Sequence, residues 1–213
     1  MNDPDLIAKH RRYLPHVQLK RQVISITWRL AFTLPRQLQE LLHELRVSLQ
    51  SLHNADETSL SERYEEYAYK LERYDDYLGR FQLQGLSLCE PAIGSIMRSA
   101  LHFYDHKLYQ LHTWCLMPNH VHLLVQPLPL ADGTYAKIST IVQRIKGYTA
   151  KQINLQLGRS GKVWNDDYYD RFIRNSRDYC MTVEYVMNNP VKAGLTDRRE
   201  SWEYAYFKAG LID

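Results

Sequence analysis

The run Trp114-Cys115-Leu116-Met117-Pro118-Asn119-His120-Val121-His122-Leu123-Leu124-Val125 constrains the fold more than any other part of this chain. Apolar residues flank a Pro-Asn pair on both sides. Pro at the second position of a tight turn and Asn at the third are favoured chemistry. The spacing predicts an antiparallel hairpin joining 108–117 to 120–126. Strand residues two apart point the same way, so His120 and His122 share a face and can close on one metal ion. Val121, Leu123 and Val125 then line the opposite, buried face.

A second cluster lies far downstream, in Val183-Glu184-Tyr185-Val186-Met187-Asn188-Asn189-Pro190-Val191-Lys192-Ala193-Gly194-Leu195. Residues four apart on a helix lie on one face, so Tyr185 and Asn189 project together. Pro190 is expected to stop this helix, because proline disfavours helical geometry at the residue before it. A phenol, an amide oxygen and two imidazoles form a coherent set for phosphodiester chemistry. Tyr168, Tyr169 and Tyr179 are rival nucleophiles, but none has such a partner four residues later.

The rest of the chain reads as alternating strands and helices. Residues 22–31 alternate apolar and polar and predict a first strand. From Arg36 the period changes: Leu38, Leu41, Leu42, Leu45, Leu49 and Leu52 recur at three and four, as on an amphipathic helix. Ser59 with Glu62 makes a capping box, and Leu60, Tyr64, Tyr67, Leu71, Tyr74 and Leu78 follow heptad spacing. Residues of about 36–84 are therefore expected as an inserted helical hairpin that lengthens the scaffold, makes an interface or shields a groove. Further helices are predicted near 91–105, over 135–157 and over 177–189, with a short strand around 171–173. Without the insertion and the last helix, the order is β-α-β-β-α-β, the ferredoxin-like arrangement. The expected class is α/β (α+β): an antiparallel sheet with helices on one face, a C-terminal helix carrying Tyr185, and the inserted hairpin. The histidines are expected on a central strand, facing the helices that cover one side of the sheet. Residues 1–213 are read as one domain.

The net charge of +3 conceals an uneven distribution. Residues 36–84 hold 6 Lys and Arg against 10 Asp and Glu, which leaves 21 against 14 elsewhere. The part carrying the motifs is basic, and a basic surface attracts phosphate backbones without reading sequence. Cys89, Cys115 and Cys180 follow no zinc spacing and are expected as buried free thiols of a reducing cytoplasm. The polar N-terminus and the lack of a long apolar run predict no membrane span and a cytoplasmic location, on the nucleoid when bound to DNA.

The chain resembles the single-tyrosine HUH (histidine–hydrophobe–histidine) transposases, and especially the REP-associated tyrosine transposases. The matching pieces are Leu14-Pro15-His16, the strand Ile24 to Leu30, Met117-Pro118-Asn119-His120-Val121-His122-Leu123-Leu124, Lys146-Gly147-Tyr148-Thr149, Tyr169-Asp170-Arg171-Phe172-Ile173-Arg174 and Tyr185 through Leu195. The resemblance implies the same ferredoxin-like fold, and recognition of a foldback hairpin with a short flanking single strand. It places a polar residue four after the tyrosine as a ligand, which fits Asn189. The expected reaction is cleavage of single-stranded DNA by Tyr185 through a 5′-phosphotyrosine, with rejoining by a 3′-hydroxyl. His120, His122 and Asn189 would hold Mg²⁺ or Mn²⁺, ions suited to nitrogen and oxygen ligands with open positions. Arg29, Arg144, Lys146, Lys151, Arg171, Arg174 and Lys192, with Trp164, Tyr168 and Tyr169 as stacking planes, are the candidate DNA contacts. Trp28 and Arg29, with Arg11 and Arg12, form a candidate second patch. A monomer is expected, with a homodimer as the alternative. Two other functions compete: a domesticated protein that binds hairpin DNA or RNA without cutting, and a metal phosphoesterase on small nucleotides.

Overall fold

The computed structural model describes residues 6–11, 15–54, 58–208 and 210, with side chains described from Lys20 onward, His53 aside. Leu14 and Arg12, and the side chains of Arg11, Pro15 and His16, lie outside that description.

The Pro118-Asn119 pair forms the expected turn. The Met117 amide donates to the His120 carbonyl at 2.9 Å, closing the hairpin between β4 (Tyr109–Leu116) and β5 (His120–Pro127). β3 (Ile24–Arg29) pairs antiparallel with the other side of β5, and β6 (Tyr169–Phe172) pairs antiparallel with β3. A short last strand, β7 (Ala205–Phe207), extends the sheet beyond β4, giving the order β6-β3-β5-β4-β7. The four strands of the β-α-β-β-α-β unit thus stand in ferredoxin-like order, and β5 is the central strand. Two elements were not foreseen from the sequence: β7, and an N-terminal ribbon of β1 (Leu6–Arg11) and β2 (Pro15–Leu19).

Alternation along the strands sorts the side chains onto two faces. Ile24, Ile26 and Trp28 of β3, Trp114 and Leu116 of β4, and Val121, Leu123 and Val125 of β5 belong to one buried cluster. It is covered by α3 (Pro91–Phe103) and α4 (Ile138–Gln156), through Ile93, Met97, Leu101, Ile141 and Ile145. Trp28 and Trp114 are almost wholly enclosed, and full burial of a large apolar side chain contributes about 1.5–3 kcal/mol.

The expectation that the histidines face these two helices fails. Because Val121, Leu123 and Val125 occupy that side, the period of two sends His120 and His122 to the other. That second face carries its own cover. The predicted insertion is present as α1 (Arg36–His53) and α2 (Leu60–Arg80), which pack through the leucine and tyrosine stripes. With α5 (Ser176–Lys192), it lies over the histidine side of the sheet. Ser59 is the N-cap of α2, but its side chain makes no capping bond, so the proposed box does not form.

Pro190 does not end α5 either. The helix continues to Lys192 and terminates in a Schellman motif. The Leu195 amide donates to the Pro190 carbonyl and the Gly194 amide to the Val191 carbonyl, both at 2.9 Å, with Gly194 at φ +72°. A proline this close to the C-terminus removes a single helical bond, which the cap offsets. Of the cysteines, Cys115 is buried, Cys89 partly so and Cys180 exposed, so the expectation of three buried thiols fails at Cys180. Among the described residues no helix is long and apolar enough to cross a membrane.

Candidate functional site

The turn that builds the hairpin also builds the site. Asn119, at its third position, is 1 % exposed, and its Nδ2 donates to the carbonyls of Leu78 and Phe81 at the end of α2, each at 2.9 Å. That orientation leaves Oδ1 as an acceptor beside His120 Nδ1, at 2.6 Å. His120 Nδ1 must therefore carry the ring proton, and Nε2 keeps its lone pair. This lone pair faces His122 Nε2 at 2.9 Å, with the rings nearly perpendicular.

His122 is held from its other side. Its Nδ1 lies 3.1 Å from Thr27 Oγ1, the residue directly opposite on β3, and 3.9 Å from Asp75 Oδ2 on α2. Both rings are closed to solvent, and burial holds both imidazoles well below their usual protonation range, His122 down to about 3. Two neutral rings with converging nitrogens are the donor set a divalent ion needs from histidine. Nitrogens 2.9 Å apart are close enough for both to reach one ion. Among the described residues no group of three His, Cys, Asp or Glu side chains stands ready to hold an ion. The expected third ligand, Asn189, is of another type: it is buried, and its Nδ2 donates to the Tyr185 carbonyl one turn back at 2.9 Å, which leaves Oδ1 as the side-chain atom that could face an ion.

Tyr185 comes to the same place. Its ring meets that of His122 edge-on, with centroids 6.2 Å apart and planes at 89°. Lys192 Nζ lies over the ring, 4.4 Å from its centre, and 3.7 Å from Asp76 Oδ1. The hydroxyl, however, points toward α2, 3.4 Å from the Glu72 carbonyl. Burial, reinforced by Asp75, Asp76 and Glu72, pushes the phenol well above its usual range. The tyrosine is therefore protonated in this arrangement. Asp75 is itself pushed well above the carboxylate range, first by burial and then by Asp76 and Glu72. Its Oδ1 has no hydrogen-bond partner among the described residues.

Sequence reasoning missed the acidic contribution of α2, although a signal existed. Asp75 follows Leu71 by four residues and precedes Leu78 by three, which puts a carboxylate on the buried stripe of a helix. Gly79 belongs here too. A Cβ built on it would make ordinary contacts, 3.4 Å from Met117 Cε and 3.9 Å from His120 Cε1, which shows how near α2 lies to the histidine strand.

The candidate DNA contacts divide sharply. Four are used inside the protein, and for these the expectation fails in this structure. Arg29 is buried, with Nη1 on the carbonyls of Leu30 and Phe32 at 3.0 and 3.1 Å. Lys146 donates to the carbonyls of Asn165 and Asp167 at 3.0 and 2.9 Å, tying α4 to the loop before β6. Trp164 packs against Trp28 in the core and donates to Thr149 Oγ1 at 2.9 Å. Arg171 bonds Asp178 at 2.8 Å and Thr182 at 2.5 Å, fastening α5 to β6. Buried Tyr168 and Tyr169 offer no stacking plane, and fully enclosed Trp28 cannot join a surface patch. Arg144 and Lys151 are exposed on α4, across the sheet from the histidines. Lys192 stands at the site, and Arg174 at the opposite end of α5.

Comparison with known proteins bears on this geometry. Residues 85–189, about half of the chain, match the family described as "Transposase IS200 like". The match begins after the α1–α2 hairpin and ends at Asn189. A putative REP-associated tyrosine transposase of Haemophilus influenzae is 28% identical over 109 residues, covering 48% of this chain and 61% of that protein. The REP-associated tyrosine transposase of Escherichia coli is 28% identical over 99 residues, covering 46% and 54%. The chain thus spans little more than half the length of the curated relatives it matches. A solved structure of a REP-associated tyrosine transposase bound to a REP hairpin shares 18% identity over 93% of this chain and 81% of its own, with a TM-score of 0.49.

Proposed function

We infer, for a chain that belongs to the IS200-like transposase family through residues 85–189, a metal-dependent endonuclease and strand transferase. Its substrate is single-stranded DNA that folds into a hairpin; the names of its relatives call them REP-associated. The observation that carries this reading is the meeting of Tyr185 with His122 at 6.2 Å, beside two imidazole nitrogens 2.9 Å apart. Residues more than sixty positions apart in sequence converge on one buried spot.

Tyr185 Oη attacks the scissile phosphorus. A phosphotyrosine ester forms on the 5′ side, the P–O3′ bond breaks, and the 3′ oxygen leaves as a hydroxyl after taking a proton. Because the ester keeps the phosphodiester energy, a second 3′-hydroxyl can reverse the step. His120, His122 and Asn189 are the residues that would hold Mg²⁺ or Mn²⁺, which supplies Lewis-acid polarisation of the phosphate. Asn119 fixes the His120 proton on Nδ1, and Thr27 with Asp75 orients His122. Lys192 offers positive charge beside the phenol once DNA replaces the carboxylates of α2. Tyr185 must turn from Glu72 toward the histidines for any of this to happen.

The closed cover favours a second reading, hairpin binding without cutting, because both histidines are sealed from solvent. One experiment separates the two: incubation with a hairpin-bearing oligonucleotide and Mg²⁺ or Mn²⁺, followed by denaturing electrophoresis. The nuclease reading expects a covalent protein–DNA adduct that disappears in Tyr185→Phe and in EDTA. Cleavage by Tyr185→Phe at the wild-type rate overturns it, and retention of DNA with no adduct supports binding alone.

A further inference from the structure

The N-terminus of α5 opens onto a cleft of about 380 Å³ at the far end of the sheet from the histidines. It is lined by Lys20, Arg21, Gln22, His112, Arg174 and Ser176, among others, and no Asp or Glu is among its described lining residues. Gln126, four residues along β5 from His122, also borders it, which sets the cleft about 13 Å from the histidine pair at 3.3 Å per residue.

Three independent features give this cleft an affinity for anions. The first is charge: Lys20 and Arg21 are exposed on the turn before β3, and Arg174 also borders the cleft, although its guanidinium lies over Tyr64 within 3.7 and 3.8 Å of Glu65 and Asp178. The second is the 17-residue helix itself. Asn175 Oδ1 caps the Asp178 amide at 2.9 Å, and the first intrahelical bond begins at the Tyr179 amide. The amides of Ser176 and Arg177 therefore face outward at the positive end of the helix dipole. Asp178, the acid in the first turn, does not line the cleft, because its oxygens hold Arg171 and the Arg174 amide.

The third feature is His112, only 4 % exposed, whose ring lines the cleft. Its Nδ1 is 2.8 Å from the Tyr179 hydroxyl, while its Nε2 is enclosed with no hydrogen-bond partner among the described residues. An orphaned ring nitrogen beside outward amides and a cationic rim needs a ligand with several acceptor oxygens. With the Tyr179 hydroxyl donating to Nδ1, the neutral ring presents Nε2–H to such an oxygen.

We propose that this cleft binds a phosphate group, and that the phosphate belongs to the backbone of the DNA strand the protein acts on. The source of the phosphate rests on the function inferred above; the cleft itself does not. The Arg21 backbone lies at φ +55°, a conformation that glycine adopts freely.

Arg21→Gly is thus a test that does not endanger the fold. The full-length protein is titrated with inorganic phosphate while backbone amides and imidazole nitrogens are followed by NMR. The expected result is saturable shifts at Ser176, Arg177 and His112 Nε2, weakened in Arg21→Gly. In parallel, a hairpin-bearing oligonucleotide is titrated over a range of salt concentrations. Arg21→Gly should bind about tenfold more weakly, with a salt slope lower by about 1 and unaltered sequence preference. Phosphate shifts without an effect on DNA affinity would assign the cleft to a free phosphomonoester and overturn the backbone source. No shift at the three positions, with DNA affinity unchanged, overturns the site and leaves the nuclease reading standing. Phosphate binding by a protein that retains no DNA at all overturns the nuclease reading and leaves the site.

Discussion

The two ends of α5 have opposite characters. At its C-terminal end, half-buried Tyr185 and buried Asn189 lie beside the enclosed histidines, where imidazoles are held neutral and a phenol is held protonated. At its N-terminus the same helix borders an open cleft rimmed by Lys20 and Arg21, with no Asp or Glu among its described lining residues. Three acids of α2, Glu72, Asp75 and Asp76, sit beside the tyrosine. On the proposed function, this division separates the two tasks: the strand would bind first at the open end, and chemistry at the closed end would require α2 to yield.

That comparison can be broken at several points. The largest effect is expected from Asn119→Ala, which leaves two carbonyls of α2 and His120 Nδ1 without their buried partner. A loss of about 4 kcal/mol should appear in urea unfolding, and a loss below 1 kcal/mol would show that the hairpin is not anchored through this turn. A smaller change is expected with pH. Burial, with Lys208 adding to it and Asp105 opposing it, depresses His112 to about 4 in the folded chain, against about 6.5 unfolded. The unfolded chain therefore binds the extra proton between these values. The contribution of His112 is complete above pH 6.5 and is lost as pH falls toward 4, by no more than about 3 kcal/mol. His112→Gln should flatten that part of the stability profile, and an unchanged profile would place the titration elsewhere. The smallest effect belongs to Gly79→Ala. Space for the methyl group exists, and alanine favours the helix by about 0.5–1 kcal/mol. Stability should rise by that amount while the single-turnover rate of strand cleavage falls, because the cover is held shut more firmly. Faster cleavage in this variant would mean that the cover need not open.

Much of this was legible in the sequence, for identifiable reasons. The hairpin turn at Pro118-Asn119 and the pairing of His120 with His122 follow from local periodicity and a short motif, which tertiary context did not override, whereas the approach of Tyr185 is implied by the family resemblance. The strand order follows once the element order is known. The face on which the histidines lie was misread because the insertion had no assigned place. Alternation fixes which residues share a side but not which helices cover it. The basic residues were harder still. Arg29, Lys146 and Arg171 look like surface charges in sequence, yet Arg29 folds back onto the carbonyls of Leu30 and Phe32, Lys146 ties to the loop before β6, and Arg171 binds a carboxylate of α5, burial that no local pattern encodes. Pro190 misled because its effect depends on how many helical bonds remain beyond it, and Gly194 supplies the true end. The cleft at the start of α5 gathers residues from five separate stretches and has no signature along the chain.

One consequence follows from the amide of Asn119. The same side chain grips the last turn of α2 and assigns the proton of His120, so the insertion and the reaction centre are not separate parts. Lifting the helical hairpin frees the amide to rotate, and the imidazole can then exchange its tautomer. Uncovering the site and re-setting its ligand become a single mechanical event, with a turn asparagine as the latch.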